Sequence, residues 1–424
     1  MTNRLTKAWL LADLRRRLAR PTDPAVALAD LRRRAASASP HYAEVLAGTE
    51  GARLAELPVL TKDALVASFD RVVTDPVLRA DDLQRHVDST APGTRFGRWW
   101  VGASSGGTGR PLLLAYDLHE WSAKLANVAR AQAVVGASSI DGPRRVARIA
   151  SPSAWHLSAQ VGSTLSDPRR PTLRIPATTP LDELAHRLEA WGPTVLNGYA
   201  SVLGALADAQ LAGEVRLAPR LVLSGAEPLS EGIRDRIREA WDVEPHDQYV
   251  TTEAGFVAAE CDAHDGMHVI AEDTVVEVLD DAVLVTVLAS RAVPLIRYRL
   301  EDTVRVDPEP CRCGRTTPRL RVDGRARELL SIPLPGTTAV VHPVVFTQVL
   351  DRQPVAAWRV VHRAGRIAVE VAGARPSFDE RHVVDALAHA LDSAVGAPVP
   401  VTVSVVDALT TGASGKASRI VDEG

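Results

Sequence analysis

The hydrophobic pattern changes twice along the chain. Over residues 1–95, Leu and Ala recur at helical spacing between charged residues, and Pro21 and Pro24 interrupt the pattern. Proline is tolerated only in the first turn of a helix, so this part predicts amphipathic helices separated at the two prolines. From Phe96 onward, short β-rich apolar runs alternate with helical ones.

The alternating part predicts an α/β architecture. Strands are expected at 145–150, 194–197 and 220–224, with helices at 181–191 and 201–212 between them. This alternation is typical of a largely parallel sheet with helices on its faces. Farther along, the pattern over 275–287 predicts a β-hairpin that turns at Asp280 and Asp281 and adds an antiparallel region.

The last hundred residues have a pattern of their own. Two apolar runs at 358–362 and 366–371 predict a hairpin around Ala364 and Gly365, and 401–406 predicts one more strand. Between them, a capping-box pattern at 377–380 predicts the start of a helix whose apolar stripe is formed by Val383, Val384, Leu387 and Leu391 and which Gly396 closes.

These patterns define the expected domains. We expect an N-terminal domain over 1–324, whose first 95 residues are mainly helical, and a small α+β domain over 325–424. A length of 424 residues agrees with two or three domains of ordinary size.

Composition excludes several classes of protein. Apolar residues make up 46% and charged residues 24%, as in soluble globular proteins and unlike disordered or coiled-coil chains. A net charge of −3 argues against nucleic acid and membrane as partners. Residues 1–20 mix Leu and Ala with Arg and Asp, unlike a signal peptide, and no run of about 18 uncharged apolar residues predicts a membrane span. We expect a cytoplasmic protein, monomeric or homodimeric.

Two scarcities carry more information. The chain has only four Lys, at positions 7, 62, 124 and 416, and three Cys, at positions 261, 311 and 313. An odd and small number of cysteines argues against a secreted disulfide scaffold and for a reducing compartment.

The strongest local signal is a loop rich in Gly, Ser and Thr. It reads Ser104-Ser105-Gly106-Gly107-Thr108-Gly109-Arg110-Pro111 and follows an apolar run. Small residues leave backbone N–H groups accessible, and the three hydroxyls add donors, which suits a polyphosphate. No Lys follows the last Gly, so this is not a Walker A loop. Taken alone, such a segment is also compatible with a flexible turn.

The loop resembles the phosphate loop of the adenylate-forming superfamily, and further motifs follow in that superfamily's order. They are Ser224-Gly225-Ala226-Glu227-Pro228-Leu229, Tyr249-Val250-Thr251-Thr252-Glu253, Arg297-Tyr298-Arg299-Leu300-Glu301-Asp302, Gly324-Arg325-Ala326-Arg327 and Ser414-Gly415-Lys416. Within the superfamily, three segments look most like the phenylacetate-CoA ligase branch: Leu57-Pro58-Val59-Leu60-Thr61-Lys62, Asn197-Gly198-Tyr199 and Cys311-Arg312-Cys313-Gly314-Arg315. The resemblance covers nearly the whole chain.

The resemblance implies a fold. It implies an α/β protein with a large N-terminal adenylate-forming domain, built of stacked sheets with helices plus a small β-barrel-like part, and a small mobile α+β C-terminal lid domain. The lid would carry the catalytic lysine, Lys416.

The resemblance also implies site residues for ATP and Mg²⁺. Lys416 would stabilise the reacting α-phosphate, and Glu253, next to Thr252, would ligate Mg²⁺ through a hard carboxylate oxygen. Asp302, assisted by Arg325, would bind the ribose. The remaining nucleotide contacts would come from Ser104, Ser105, Gly106, Gly107, Thr108 and Gly109 for phosphate and from Ala226, Glu227, Asp247 and Tyr249 for adenine. Taken one at a time, without the shared order of motifs, these residues are also compatible with ordinary positions in a core, at a strand end or in an exposed tail.

The cysteines form a second candidate site. Cys261 is followed by His268, and Cys311 and Cys313 lie together farther on. Three thiolates and one imidazole match a closed, tetrahedral structural zinc site. Three reduced structural thiols are the alternative. His264 is also within reach along the chain, although the resemblance favours His268 through its Gly-x-His-Val arrangement.

Three departures from the family pattern bear on the substrate. Gly107 replaces a hydroxyl residue in the phosphate loop, and Val250 replaces a Gly that borders the acid in this superfamily, so we expect a reshaped acid pocket. After the hinge, the segment 330–336 lacks the Arg-Gly-x-Asn sequence associated with the thioester step. Further walls of the pocket are expected from Trp121, Trp155 and Tyr199, since aromatic walls suit a planar substrate, although each is also a candidate core residue.

The expected activity is ATP-dependent adenylation of a small or aromatic carboxylic acid. By family default the acyl group then passes to coenzyme A. Val250 and the altered post-hinge segment keep two alternatives open: a diazotase that activates nitrite for attack by an aryl amine in secondary metabolism, and an amide-forming ligase. A degenerate nucleotide-binding module is disfavoured because Glu253, Asp302 and Lys416 are all retained. An Arg-rich nucleic-acid adapter is disfavoured by the balanced charge.

Overall fold

The computed structural model describes most of the chain. It describes residues 4–49, 51–91, 94–103, 112–137, 144–151, 153, 155–164, 170–279, 282–325, 330–334, 337–341, 344–350, 352–409 and 419–423. Within these ranges, none of the helices is both long and apolar enough to cross a membrane.

The N-terminal part is helical, as the pattern predicts. Its helices are α1 (Arg4–Ala19), α2 (Pro24–Ala38), α3 (Pro40–Val45), a short 3₁₀ helix (Leu54–Glu56), α4 (Lys62–Ala67), α5 (Phe69–Val72) and α6 (Ala80–Ser89). Asp23 caps α2 by accepting hydrogen bonds from the amides of Ala25 and Val26, and Pro24 occupies the first turn. The break at the prolines therefore reflects a helix start with a proper cap.

A nine-stranded sheet forms the centre of the molecule. Its strands are β3 (Val146–Ala150), β4 (Thr172–Pro176), β5 (Val195–Gly198), β6 (Leu221–Gly225), β7 (His246–Thr251), β8 (Gly255–Glu260), β9 (Met267–Val269), β13 (Asp302–Asp307) and β14 (Arg319–Arg325), in the order β13-β14-β9-β8-β7-β6-β5-β3-β4. The half from β4 to β7 is parallel, and the half from β7 to β13 is antiparallel. The helices of this part are α7 (Leu118–Val134), α8 (Leu157–Thr164), α9 (Leu181–Trp191), α10 (Ala200–Leu211) and α11 (Glu231–Trp241).

Two smaller antiparallel sheets flank this sheet. One pairs β1 (Trp100–Ala103) with β2 (Leu113–Tyr116), on either side of the predicted phosphate loop. The other contains β10 (Thr274–Leu279), β11 (Ala282–Val287) and β12 (Tyr298–Leu300). Strands β10 and β11 form the hairpin that the pattern predicts over 275–287, while its predicted turn at Asp280 and Asp281 lies outside the described residues.

The C-terminal part has its own sheets and core. It contains β15 (Leu330–Leu334), β16 (Thr337–Val341), α12 (Val344–Leu350), β17 (Ala357–Arg363), β18 (Arg366–Ala372), α13 (Glu380–Val395), β19 (Val401–Val406) and β20 (Ile420–Asp422), with a sheet in the order β19-β18-β17-β20. Its buried apolar side chains, from Leu330 to Ile420, form one cluster, while the clusters of the preceding part involve residues 10–322. The chain thus has an α/β fold followed by an α+β unit.

The start of α13 differs from the predicted capping box. The N-cap is Asp379, whose side chain accepts hydrogen bonds from the amides of Arg381 and His382, and not Ser377. Asp379 lies next to the first helical residue, where a carboxylate reaches the free N–H groups best. Gly396 ends the helix in the left-handed conformation, with φ of 71°, as the sequence predicts.

Candidate active site and candidate metal centre

The antiparallel half of the large sheet brings the candidate residues together at its two ends. At one end, β7 turns into β8 through residues 252–254, and Asp302 of β13 comes close through its contact with Tyr249 of β7. At the opposite end, β8 reaches Glu260, and β9 carries His268. We call these the carboxylate end and the thiol end. The six residues of β8 separate them by about 17 Å at the usual rise per residue.

The carboxylate end assembles Tyr249, Glu253, Tyr298 and Asp302. The Tyr249 hydroxyl donates to Asp302 Oδ2 at 2.7 Å, and the Tyr298 hydroxyl lies 3.4 Å from Glu253 Oε1. Burial and the nearby charge of Asp302 raise the pKa of Glu253, and Lys62 acts in the opposite direction. Two carboxylates close together in a desolvated place favour a bound cation.

The segment that carries Lys62 lies beside this end because it joins strand β12. The amide of Leu60 donates to the carbonyl of Arg297 at 3.1 Å, and the amide of Arg299 donates back to Leu60 at 2.9 Å. Lys62 is the first residue of α4, which Thr61 caps through the amide of Ala64. The segment 57–62, which carries the resemblance to the phenylacetate-CoA ligase branch, therefore places a cation next to Glu253.

The ends of β6 and β7 form a polar pocket edge next to the carboxylate end. Among the described residues, Ser224 Oγ, Gln248 Nε2 and Glu227 Oε1 are buried side-chain atoms without a hydrogen-bond partner. Glu227 uses its other oxygen to accept from the amide of Ser201 at 3.0 Å, and Ala226 has a left-handed φ of 65°. Buried polar atoms normally have partners, so this cluster is suited to a polar ligand such as a purine.

Asp247 is held in hydrogen bonds within the sheet, whereas the resemblance assigns it to adenine binding. Its carboxylate accepts from the amide of Gln248 at 2.9 Å, and its own amide donates to Glu260 at 3.0 Å. Burial, followed by the charge of Glu260, raises the pKa of Asp247 to about 7. Asp247 thus lies within the strand-end hydrogen-bond network.

The predicted pocket residues differ in their surroundings. Trp121 is completely buried, stacks on Trp100 with ring centroids 5.3 Å apart, and donates its indole N–H to Thr164 at 3.0 Å. These are the contacts of a core aromatic residue. The other three predicted residues lie closer to strand ends: Trp155, Tyr199 and Val250.

Val250 and Tyr199 have surroundings suited to a pocket wall. Val250 is half-buried at a bulge in the β7–β8 pairing, and its Cγ2 is 3.9 Å from the place where a Cβ on Gly225 would lie. Tyr199 precedes α10, and burial raises its pKa to about 12. Trp155 belongs to the same buried apolar cluster as Trp100 and Trp121, and its ring lies 5.5 Å from that of His86.

Several predicted residues lie outside the described residues. They are Ser104, Ser105, Gly106, Gly107, Thr108, Gly109 and Lys416. Arg325 is described by its backbone, in β14 opposite Asp302. Thr252 lies in the described turn, half-buried next to Glu253.

Sequence reasoning missed one residue at the carboxylate end. The Lys124 ammonium of α7 donates to the backbone carbonyls of Glu253 and Ala254. Its signal in the sequence is scarcity, because it is one of only four lysines in the chain.

At the thiol end, all three cysteines meet one histidine. The ligand atoms of Cys261, His268, Cys311 and Cys313 lie within 4.8 Å of one another. Cys261 Sγ and Cys311 Sγ are 3.7 Å apart, and Cys313 Sγ is 3.3 Å from His268 Nε2. A tetrahedral zinc ion with bonds of about 2.3 Å to sulfur places two sulfurs about 3.8 Å apart. The donor set and its spacing therefore fit zinc.

The surroundings of His268 also suit a metal ligand. Its Nε2 faces the cysteines, while Nδ1 lies 3.1 Å from the hydroxyl of Thr317. A partner on the second ring nitrogen fixes the orientation of a metal-binding histidine. His264 is instead near Glu260, with its Nδ1 3.4 Å from the carboxylate, and is not part of the cluster.

The thiols differ in their electrostatic environment. Burial raises the pKa of Cys261 to about 12. Burial acts in the same direction on Cys313, but the amide of Arg315 and the neighbouring cysteines outweigh it and lower that pKa. Cys261 and Cys311 are buried and Cys313 is exposed, so the cluster lies at the surface of the sheet end.

The chain is similar to known proteins in structure, whereas comparisons of its sequence find no match. No family model matches the sequence, and no curated protein matches it. Solved structures do match. A 2-hydroxyisobutyryl-CoA ligase in the postadenylation state, in complex with R3-HIB-AMP, matches with a TM-score of 0.73 at 19% identity over 94% of this chain and 88% of that one.

Two further ligases match over a shorter part. The anthranilate CoA ligase AuaEII in complex with anthranoyl-AMP matches with a TM-score of 0.53 at 15% identity, and ATP-bound MatB from Rhodopseudomonas palustris with 0.51 at 16% identity. Each covers 74% of this chain and 65% of the other.

The similarity to the 2-hydroxyisobutyryl-CoA ligase depends on its conformation. The TM-score falls from 0.73 for the postadenylation state to 0.57 for an open conformation and 0.56 for the thioesterification state. The chain has the adenylate-forming enzyme fold, with a C-terminal domain.

Proposed function

We propose that the protein is an ATP-dependent, AMP-forming ligase. It activates a small or aromatic carboxylic acid as acyl-AMP, releases pyrophosphate and transfers the acyl group to an acceptor. The observation that carries this proposal is the carboxylate end, where Glu253 and Asp302 meet Tyr249 in a fold otherwise found in ligases that bind acyl-AMP.

In the proposed first step, a carboxylate oxygen of the acid attacks the α-phosphorus of ATP. The bond from that phosphorus to the bridging oxygen breaks, and pyrophosphate leaves with the electron pair. Because negative charge accumulates on the phosphates, catalysis consists mainly of positioning and charge stabilisation. Lys416 supplies a positive charge at the α-phosphate, and Ser104, Ser105, Thr108 and the glycines of that loop hold the β- and γ-phosphates.

Glu253, adjacent to Thr252, holds Mg²⁺, and Asp302 accepts hydrogen bonds from the ribose hydroxyls with Arg325 beside it. Tyr249 stacks on the adenine, and its hydrogen bond to Asp302 fixes the position of that carboxylate. The unpartnered atoms of Ser224, Glu227 and Gln248 at the neighbouring strand ends favour a purine edge there, next to Ala226.

The acid is expected beside Val250. This side chain narrows the space next to Gly225, and Tyr199 and Trp155 supply the aromatic surface. Trp121 is left out of this pocket because it is fully buried in the core. A branched residue at this position favours a small acid.

We further propose that residues 325–424 form a lid that brings Lys416 to the reaction. Arg375 of this part donates to the carbonyl of Asp208 at 3.0 Å, which ties it to α10. The better match to a postadenylation state supports an arrangement suited to the first half-reaction.

Coenzyme A is the acceptor that the structural neighbours favour, since the 2-hydroxyisobutyryl-CoA ligase is known with CoA bound. Its thiol would attack the acyl carbon, with AMP as the leaving group.

A second candidate is a diazotase that activates nitrite for an aryl amine. The narrowing by Val250 favours it, because nitrite is smaller than any carboxylic acid except formic acid. The altered segment 330–336 removes the family sequence linked to the thioester step and points in the same direction.

For the thiol end we propose a structural zinc ion held by Cys261, His268, Cys311 and Cys313. Four protein ligands leave no open position for a substrate, so the ion stabilises the sheet end and takes no part in the reaction.

One experiment tests the function. The protein is incubated with ATP and Mg²⁺ and a panel of aryl and short-chain acids, or with nitrite and aminoaryl acids, and pyrophosphate release is followed. We expect release with acids in the wild type and about a 100-fold slower rate for Lys416→Ala. No release with either set of substrates, in the wild type as in Lys416→Ala, contradicts an enzymatic role, and identical release in both proteins contradicts the role of Lys416. Release with nitrite alone, unaffected by coenzyme A, selects the diazotase.

A further inference from the structure

Lys124 is a buried cation that faces the carboxylate end from behind. It lies in the middle of α7 with 7% of its surface exposed. Its ammonium donates to the carbonyl of Ala254 at 2.8 Å and to that of Glu253 at 3.2 Å. Lysine is rarely buried unless it is paired, and here its hydrogen-bond partners are backbone carbonyls of the turn that carries Glu253.

Asn127, one turn farther along α7, extends this attachment. Its amide nitrogen donates to the carbonyl of Phe256 at 2.9 Å, and its oxygen accepts from the amide of Phe256 at 2.8 Å. The helix therefore makes four hydrogen bonds with the backbone of 253–256. Between them, Gly255 has a φ of +82°, and a Cβ there would lie 2.8 Å from Asn127 Oδ1. The backbone thus lies directly on the helix.

Burying a charged side chain to hydrogen-bond two carbonyls has a high desolvation cost. Burial disfavours the positive charge, and the nearby carboxylates of Glu120, Asp273 and Glu253 offset only part of this cost. A neutral donor would satisfy the same carbonyls with less desolvation. What the ammonium adds is a positive charge behind a turn that is crowded with carboxylates, where Asp302 raises the pKa of Glu253. A cation there opposes the repulsion that would push the turn outward.

We propose that Lys124 is a positioning residue that, with Asn127, fixes the 253–256 turn so that Glu253 presents its carboxylate to the magnesium ion of bound ATP. Lys124 acts on the backbone, and Tyr298 holds the carboxylate from the other side. This inference rests on the proposed function, because it takes Glu253 as the magnesium ligand.

Nucleotide binding tests it without any acid substrate. The affinity for ATP is measured by isothermal titration calorimetry in Mg²⁺ and, separately, in EDTA, for the wild type, Lys124→Met and Lys124→Gln. Lys7→Met is the matched control, because it makes the same substitution at a half-buried lysine of α1, outside the 253–256 turn and the α7 side chains bonded to it. In the wild type, Mg²⁺ should increase the affinity for ATP. We expect this increase to be roughly tenfold smaller in Lys124→Met, as for a lost charged hydrogen bond, while the affinity in EDTA stays the same. Lys7→Met keeps both.

The outcomes separate the two claims. If the wild type gains no affinity from magnesium, the proposed function fails. If the wild type shows the gain and folded Lys124→Met keeps it, the positioning role is wrong. An equal loss with and without magnesium also overturns it, because that is general damage to the fold. Should Lys124→Met fail to fold by circular dichroism, Lys124→Gln, which retains one amide donor, is judged by the same criteria with a smaller expected loss.

Discussion

The two ends of the antiparallel half-sheet have opposite chemistry within about 17 Å of each other. The thiol end holds soft ligands from three segments, with sulfur atoms already at the spacing of a tetrahedral zinc site. The carboxylate end holds hard oxygen ligands, and burial together with mutual repulsion raises the pKa of Glu253 there. In the proposed function, the thiol end has four protein ligands for zinc, whereas the carboxylate end binds a cation that arrives with ATP.

In the proposed function, one sheet serves stability at one end and catalysis at the other. Four protein ligands close a site and stabilise the fold, while few ligands and unpaired polar atoms leave room for a substrate. Strand β8 joins the two ends, so a change at one end tests whether the other is independent.

The largest effect is expected for Glu253→Gln. Removing the proposed magnesium ligand should slow adenylation roughly 10²- to 10³-fold. Folded stability should not fall, because a carboxylate with a raised pKa destabilises the fold when ionised. Rates of pyrophosphate release and thermal unfolding are measured on the same samples. A variant that unfolds at a lower temperature but releases pyrophosphate at the wild-type rate would contradict a catalytic role for the carboxylate end.

The next effect is expected for Cys311→Ser at the thiol end. Loss of a buried zinc ligand should reduce bound zinc from one per chain and lower the unfolding temperature by roughly 5 °C or more. The rate of the remaining folded protein should be unchanged. Zinc is measured by inductively coupled plasma mass spectrometry. Sub-stoichiometric zinc in both proteins would instead identify the cluster as reduced thiols.

Glu120 sharpens the comparison as a buried carboxylate that accepts hydrogen bonds from backbone amides. It accepts from the amides of Arg291, Ala292 and Asp117, at 2.6, 3.1 and 2.8 Å, and burial raises its pKa to about 8. The folded state then binds more protons than the unfolded state between its unfolded pKa and about 8, so stability should fall as pH rises through this window.

For Glu120→Gln, the dependence of stability on pH should be weaker. Urea unfolding midpoints at pH 5, 6.5 and 8 measure this for both proteins. Parallel slopes would show that other groups control the pH dependence.

The smallest effect is expected for Val250→Gly, which changes only the acid pocket. Removing the branched side chain should shift the preference toward larger acids by about tenfold, the usual value of one or two methyl groups in a pocket. Relative kcat/KM values over the acid panel provide the measurement, and the zinc content serves as the control. An unchanged preference places the acid elsewhere.

Local patterns predicted much of the fold. Helix α9 and the hairpins β10–β11 and β17–β18 lie where the spacing of apolar residues indicates, since their periods depend on nearby residues. The predicted start of α13 is wrong because Ser377 and Asp379 are both residue types that cap helices, and only the three-dimensional structure selects Asp379.

The sites depend on contacts that spacing does not contain. The cysteine cluster could be predicted because thiols are scarce and chemically specific, although only the structure selects His268 over His264. Lys124 could not be assigned, since its partners are carbonyls 129 and 130 residues away. Trp121 could not be separated from a pocket residue, because core and pocket aromatics have the same local pattern.

The central claim is that the carboxylate end works with magnesium while the thiol end holds a permanent zinc ion. The most direct measurement follows acid-dependent exchange of pyrophosphate into ATP over a series of Mg²⁺ concentrations, with zinc quantified in each sample. The account predicts exchange that saturates with Mg²⁺ at a constant zinc content of one per chain. Exchange that is independent of Mg²⁺ and proportional to bound zinc would contradict it.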